Sequence, residues 1–282
     1  MGVLFDRYCG LTIGRPGREG TLFENLRITF QIVKTSDSNS NTAKISIYNL
    51  NDNSIGLIEE ENQEAILEAG YNGTRAPIQG NVFEEKLIGI VAKGDIKNVT
   101  TVKQGVDRIT TFETGDGEDA LTNATLDKSY PPGISTAQIV DEVKNTLGVV
   151  KGTIKGVIDQ VFNNGLSVSG KAKDTMDEIT EKMGAEWSIQ DGELQVLPRD
   201  GSTNEEAIFL TPDTGLIGAP TRKVGKDKKA AVEFMSLLNP KMRPGRRVKI
   251  ESFSLSGVFT IRKVTMTGDN KQGSFTCKCE AN

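Results

Sequence analysis

Apolar residues fall on every second position in two widely separated stretches, residues 22–114 and 208–279, and a helix-patterned block lies between them. That pattern constrains the fold more than any other feature. A period of two gives a strand one apolar and one polar face, so each short run needs neighbours and a cover. In the first stretch Leu26, Ile28, Phe30 and Ile32 alternate with Arg27, Thr29 and Gln31. Ala43, Ile45 and Ile47 answer them across the polar run 36–41. Residues 54–62 space Ile55 and Ile58 as a short helix would. Ala65, Leu67, Ala69 and Tyr71, then Ile88, Ile90 and Ala92, then 109–114, resume the alternation. In the second stretch Val232, Phe234 and Leu238 precede the turns Asn239-Pro240 and Arg243-Pro244-Gly245. Val248 and Ile250, Phe259 and Ile261, Val264 and Met266 follow, and the parity switch after Ile261 predicts a bulge. Many short strands with turns between them favour barrels or sandwiches over a parallel sheet.

The middle block begins near Asp127. Ser135 and Gln138 form a capping-box pattern ahead of Ile139, Val140, Val143 and Leu147. A second stripe, Ile154, Val157, Ile158, Val161 and Phe162, keeps helical spacing. A third, Ala172, Met176, Ile179 and Met183, ends at Gly184, which suits a left-handed cap. The run 187–196 reads as a hairpin turning at Asp191-Gly192, with Ile189 opposite Leu194 and Trp187 opposite Val196. At the other end Gly10, Gly14, Gly17 and Gly20 surround Pro16. They lack the Gly-Lys-Ser/Thr ending of a phosphate loop and read as a flexible connector. The expected fold is α+β, mainly β: antiparallel β-barrel domains at 1–127 and 202–282, with a small α/β insertion at 128–201.

The chemistry this chain offers is narrow. Its 282 residues include no histidine, the side chain that titrates near neutrality and the commonest metal ligand. Three cysteines cannot frame a disulfide scaffold. Cys277 and Cys279 alternate with Thr276, Lys278 and Glu280 beside Phe275, so both are expected to face inward as small core residues. No metal and no cofactor is expected. Carboxylates at Glu59, Glu60, Glu61 and Glu64, and at Asp116, Glu118 and Asp119, are the only catalytic material. Both clusters fall in polar turns and read as solvated surface, without calcium-loop spacing. Neither Gly-x-Ser-x-Gly nor Ser-x-x-Lys occurs. A net charge of −4 does not describe a nucleic-acid reader. The exception is a basic run, Arg222, Lys223, Lys226, Lys228 and Lys229, which reads as a solvated loop between strands or as a partner-contact loop. No apolar run is long enough to cross a bilayer, and the N-terminus lacks a secretory pattern, so no membrane insertion is expected.

Several runs, taken in order, resemble one family. Residues 44–50 (Lys-Ile-Ser-Ile-Tyr-Asn-Leu) and 69–73 (Ala-Gly-Tyr-Asn-Gly) resemble the opening barrel of baseplate hub proteins from tailed bacteriophages and contractile injection particles. Residues 184–192 resemble the inserted module of Mu-like and pyocin-like members. Residues 216–220, 237–240, 243–245 and 263–269 resemble their final barrel. The resemblance implies two tube-type barrels per chain and a homotrimeric ring of pseudo-sixfold shape. Such a ring joins a hexameric tail tube to a trimeric spike among other baseplate proteins, in a virion assembled in the bacterial cytoplasm. It carries no catalytic residues, and DNA only passes through its channel. Under that reading the polar alternates Arg27, Thr29, Gln31, Thr276, Lys278 and Glu280 are expected to line the channel or an interface. Two other readings stay open: a carboxylate-dependent hydrolase of cell-wall glycan, and a nucleic-acid-binding module built on 222–229.

Overall fold

The structure is a computed structural model that describes residues 3–61, 63–78, 81–84, 86–203, 205–224 and 230–282. The chain opens with strands β1 (Val3–Gly14), β2 (Thr21–Phe23), β3 (Ile28–Thr35) and β4 (Thr42–Tyr48). Helix α1 (Asp52–Glu59) follows, then β5 (Glu64–Ile78), β6 (Asn81–Glu84), β7 (Leu87–Gln104) and β8 (Asp107–Gly115). The middle block contains α2 (Glu118–Asn123), β9 (Lys128–Tyr130), β10 (Ile134–Ser135), α3 (Thr136–Thr146), β11 (Val150–Ile154), β12 (Val161–Phe162) and β13 (Leu166–Val168). Helix α4 (Ala172–Lys182) and the hairpin β14 (Ala185–Gln190) and β15 (Glu193–Pro198) complete it. The last stretch holds β16 (Ile208–Leu210), β17 (Leu216–Val224), β18 (Ala230–Leu237), β19 (Arg247–Glu251), β20 (Ser256–Asp269) and β21 (Phe275–Ala281).

The chain is mainly β, and its two β stretches meet in one sheet. Its order is β17-β18-β21-β20-β3-β4-β8-β7-β5-β1-β2, with β19 branching from β20 and β16 from β19. The seam between the stretches is the antiparallel β3–β20 ladder, from Thr35 opposite Lys263 to Thr29 opposite Asp269. Beneath it lies one apolar core drawn from both, with Leu11, Ile32, Ile45, Leu67 and Phe112 joined by Phe234, Ile250, Val264 and Met266. Phe275 ties the halves together: its ring meets Phe30 edge-on at 6.1 Å and Tyr71 at 5.4 Å. Cys277 and Cys279 are buried in this core, as their parity predicts. The β20–β21 register shifts between Ile261 and Lys263, where the parity switch placed a bulge.

The middle block has its own core, with Leu121, Ile139, Val143, Met176, Ile179, Trp187, Leu194 and Val196 at its centre. Ser135 caps α3 with a full capping box to Gln138, and Gly184 sits at φ +64° after α4. The hairpin pairs Ile189 with Leu194 and Trp187 with Val196, turning through Asp191 at φ +57° and Gly192 at φ +85°. Two left-handed residues in a two-residue loop match the twist of the flanking strands.

Two expectations fail. The glycine-rich opening is not a connector: β1 pairs along β5 from Val3 opposite Arg75 to Gly14 opposite Glu64, and Cys9, Leu11 and Ile13 are buried. Gly14 is there because a Cβ would lie 2.7 Å from the Gly20 Cα, a close approach of backbone to backbone. The stripe 154–162 is not a helix. Gly156 takes φ +69°, and Val150–Ile154 forms an edge strand parallel to β15 instead. Glycines at 152 and 156 weaken a helix by about 1 kcal/mol each, whereas β-branched Val150 and Ile154 suit a pleated edge.

Candidate functional site

The polar sides of strands β18, β21, β20, β3, β4 and β8 form one uninterrupted face, because cross-strand partners in an antiparallel sheet point the same way. Register defines its rows. One row reads Leu237, Thr276, Thr267, Gln31, Lys44, Glu113, Lys97. Another reads Met235, Lys278, Thr265, Val33, Thr42. Glu233, Glu280, Lys263 and Thr35 make a third, and Asp269, Thr29, Ser46 and Thr111 a fourth. Thr29, Gln31, Thr276, Lys278 and Glu280, which come from opposite ends of the sequence, therefore share one face. Arg27, just ahead of β3, joins them: its guanidinium lies over the Tyr48 ring at 4.5 Å and meets Asp269 at 2.8 Å.

Charges on this face alternate in sign. Lys223 and Lys278 flank Glu233 at 2.6 and 3.2 Å, and their hydrogen bonds hold its carboxyl below the usual range. Lys263 faces Glu280 at 3.8 Å, and Lys97 meets Asp119 at 2.7 Å, a hydrogen bond that raises the lysine. Partial burial pushes Asp269 up, but Arg27 and the amides of Lys271 and Gln272 outweigh it and keep the carboxylate charged. Two shallow hollows of about 460 and 360 Å³ open on the face, both lined by Gln31 and Lys44. Among the described residues the charges of this face are paired and mixed in sign, an arrangement that holds a polyanion weakly.

A second constellation was not expected. Lys34 continues the inward parity of Ile28, Phe30 and Ile32, and its side chain is only 2% exposed. Its ammonium lies 2.6 Å from Asp191 Oδ1 at the tip of the β14–β15 hairpin. Arg243, from the final stretch, approaches Asp191 Oδ2 at 3.3 Å. Asp116 accepts the backbone amides of Asp191 and Gly192, the latter at 2.8 Å. Asn41 donates to the carbonyl of Ile189 at 2.7 Å, and Gln190 donates to that of Thr35 at 2.8 Å. One hairpin tip is thus gripped by side chains from both β stretches. Burial and the neighbouring Asp191 push Asp116 up to about 6 against the pull of Lys34, and burial pushes Lys34 down.

This overturns the reading of Asp116 as solvated surface: it is buried, because the hairpin lands on the turn after β8. Glu59, Glu60 and Glu61 are exposed, as expected. The Asp116–Asp191 pair lies with Lys34, Asn41 and Thr114 beside a small hollow of about 10 Å³, room for one water at most. Of the basic run, Arg222 and Lys223 extend β17 as an edge strand rather than forming a loop, while Lys226, Lys228 and Lys229 lie outside the described residues. Among the described residues no cluster of histidine, cysteine or acidic side chains is placed to hold a metal ion, and no helix is long and apolar enough to cross a membrane.

No family model matches this sequence, and no curated protein does. Solved structures match it over nearly its whole length. The 43 kDa tail protein of prophage MuSo2 from Shewanella oneidensis superposes with a TM-score of 0.68 at 10% identity, covering 98% of this chain and 96% of its own. The tail protein from Neisseria meningitidis MC58 gives 0.63 at 10% identity, over 97% and 96%. An Escherichia coli component of the type VI secretion system, itself described as similar to the bacteriophage T4 tail proteins gp27 and gp5, gives 0.53 at 10% identity, over 95% and 76%. The chain has the fold of phage tail proteins, and the resemblance read from the sequence is to the same group.

Proposed function

We propose that the chain is a structural hub of a tail baseplate, a homotrimeric ring that joins the tail tube to the spike. In this reading the two β stretches act as the paired tube-type units, 1–127 and 202–282, and 128–201 is the inserted module. The mixed-charge face lines the channel through which DNA passes, with Arg27, Thr29, Gln31, Thr276, Lys278 and Glu280 on the wall. The role needs no catalytic group or cofactor, and assembly takes place in the host cytoplasm before incorporation into the virion. The observation that carries the reading is the face itself: both ends of the sequence contribute to one wide polar surface that the apolar core does not need. The full-length fold match to tail proteins supports it.

The test is placement. Particles purified from the host, carrying the chain with a gold-binding tag, are expected to show label at the junction of tube and spike. Label along the whole tube, at the head, or only in the particle-free fraction overturns the reading.

A further inference from the structure

Lys34 and Asp191 meet where water does not reach. Their side chains are 2% and 6% exposed, with Nζ and Oδ1 2.6 Å apart, and Ile32, Ala43 and Ala92 line the adjoining hollow. Burial pushes the lysine ammonium below its ordinary value, against the pull of Asp191. Desolvation of that kind turns a lysine into a nucleophile. One proton passed across the contact leaves a neutral amine against a neutral carboxyl group.

The other carboxyl oxygen has a different neighbour. Asp191 Oδ2 is buried and makes no hydrogen bond among the described residues, and the Arg243 guanidinium stands 3.3 Å from it. The turn does not require an acid here. Asn suits a left-handed position before Gly as well as Asp does, so the carboxyl group answers to something other than backbone shape.

We propose that Lys34 and Asp191 condense into an isopeptide bond that staples the inserted module to the seam strand β3. The structure holds the pair before the bond forms. The amine nitrogen attacks Cγ of Asp191, and the charge that develops on Oδ2 falls beside Arg243. The nitrogen then gives up one proton and the Oδ1 hydroxyl gains one. The C–Oδ1 bond breaks, water departs, and the charge on Oδ2 returns to form the amide carbonyl. Nothing is oxidised or reduced: amine plus carboxylic acid become amide plus one water.

The hollow of about 10 Å³ beside the pair has room for one water. Asp116 lines that hollow and is the positioning residue. It holds the amides of Asp191 and Gly192, which fixes the carboxyl group, and it relays the proton through the water. Condensation of free ions in water is unfavourable. Two groups fixed in contact react as if at roughly 10⁵–10⁸ M, and the product also removes two buried charges. The bond closes a loop across 157 positions, the constraint a disulfide gives elsewhere, in a chain whose three cysteines are free.

The test is the intact mass of the full-length protein, freshly purified and after incubation at neutral pH. The expected product is lighter by one water, and its proteolysis yields a branched peptide joining Lys34 Nζ to Asp191. Lys34→Arg keeps the charge but lacks the nucleophile, and should keep its full mass. Asp116 is faced by Lys34, by Asp191 and by Lys93 of β7, with Arg243 beyond Asp191. Asp116→Asn should form the branched peptide about a hundredfold more slowly. The rise in rate that the wild type shows through about pH 6 should also vanish, which a merely structural residue would not cause. Wild-type protein that keeps its full mass overturns the proposal. So does loss of one water without the branched peptide, the mark of a succinimide at Asp191-Gly192.

Discussion

The β body and the inserted module are each built on an apolar core, yet the surface where they meet is polar and charged. Within the body, Phe275 packs on Phe30 and Tyr71, and Leu11, Ile13, Ile45 and Phe112 are wholly buried. Within the module, Ile139, Val143, Met176, Ile179, Leu194 and Val196 are equally enclosed. Between them stand Lys34, Asp191, Asp116, Arg243, Asn41 and Gln190, with Arg262 on Glu186 and Gln195 on the Pro244 carbonyl. The difference teaches that the cores supply stability, whereas the junction supplies position. Apolar surfaces slide over one another at small cost; a buried ion pair with fixed hydrogen bonds tolerates one arrangement.

The comparison is broken most forcefully at Lys34. Lys34→Met removes the only fully buried cation among the described residues and leaves Asp191 and Asp116 facing each other in a low-dielectric site. A loss of about 3–5 kcal/mol is expected from urea unfolding at neutral pH. A loss under 1 kcal/mol would mean the pair contributes nothing to the junction. Met176→Ala, at the centre of the module, is expected to cost about 2–5 kcal/mol. Hydrogen exchange should then rise in α3, α4 and the β14–β15 hairpin while β3, β4 and β20 keep their protection. Uniform loosening across both regions would show that the cores are not independent.

A third prediction titrates the junction. Asp116 has a folded pKa near 6, above its ordinary 3.8. The folded state therefore binds the proton more tightly than the unfolded chain. The resulting stability is fully present below about pH 4 and fades as pH rises toward 6, by up to about 3 kcal/mol. Asp116→Asn should flatten the difference between the wild-type unfolding curves at pH 4 and pH 6.5. Lys34, pushed below its ordinary value by burial, contributes with the opposite sign. An unchanged slope in the Asn variant would assign the pH dependence to other carboxylates.

How far the junction was legible depends on which signal each residue carries. The hairpin 187–196 could be read to the residue pair, since Asp191-Gly192 allows two left-handed conformations and the flanking parity leaves one register. The inward cysteines and the bulge after Ile261 followed from parity alone. Lys34 followed the same parity, two residues beyond Ile32, but charge argued for the surface and hid it. Its partner Asp191 lies 157 positions away, and nothing local announces a contact at that distance. Asp116 was misread for the same reason: a carboxylate in a Gly-Asp-Gly turn is solvated unless something docks on it. β1 was missed because glycines that permit close backbone approach share their composition with glycines that permit flexibility. The wide polar face was half visible. Alternation named its residues, but only the β3–β20 ladder puts Gln31 beside Thr267 and Thr276.

The smallest effect is expected on that face, and it sharpens the contrast from the other side. Gln31→Ser and Thr276→Ser sit in one row of the polar face and leave the ladder hydrogen bonds of β3 and β21 intact. Each is expected to change unfolding free energy by less than about 0.5 kcal/mol, the scale of exposed positions free of special contacts. Gly245→Ala serves as the matched control at the junction. Its φ of +84° and a Cβ 2.8 Å from Gln195 and Leu197 should cost about 1–2 kcal/mol. If the face substitutions match or exceed that control, the face is held by the fold. If they fall below it, folding does not require those polar side chains, and their identity answers to whatever the face meets.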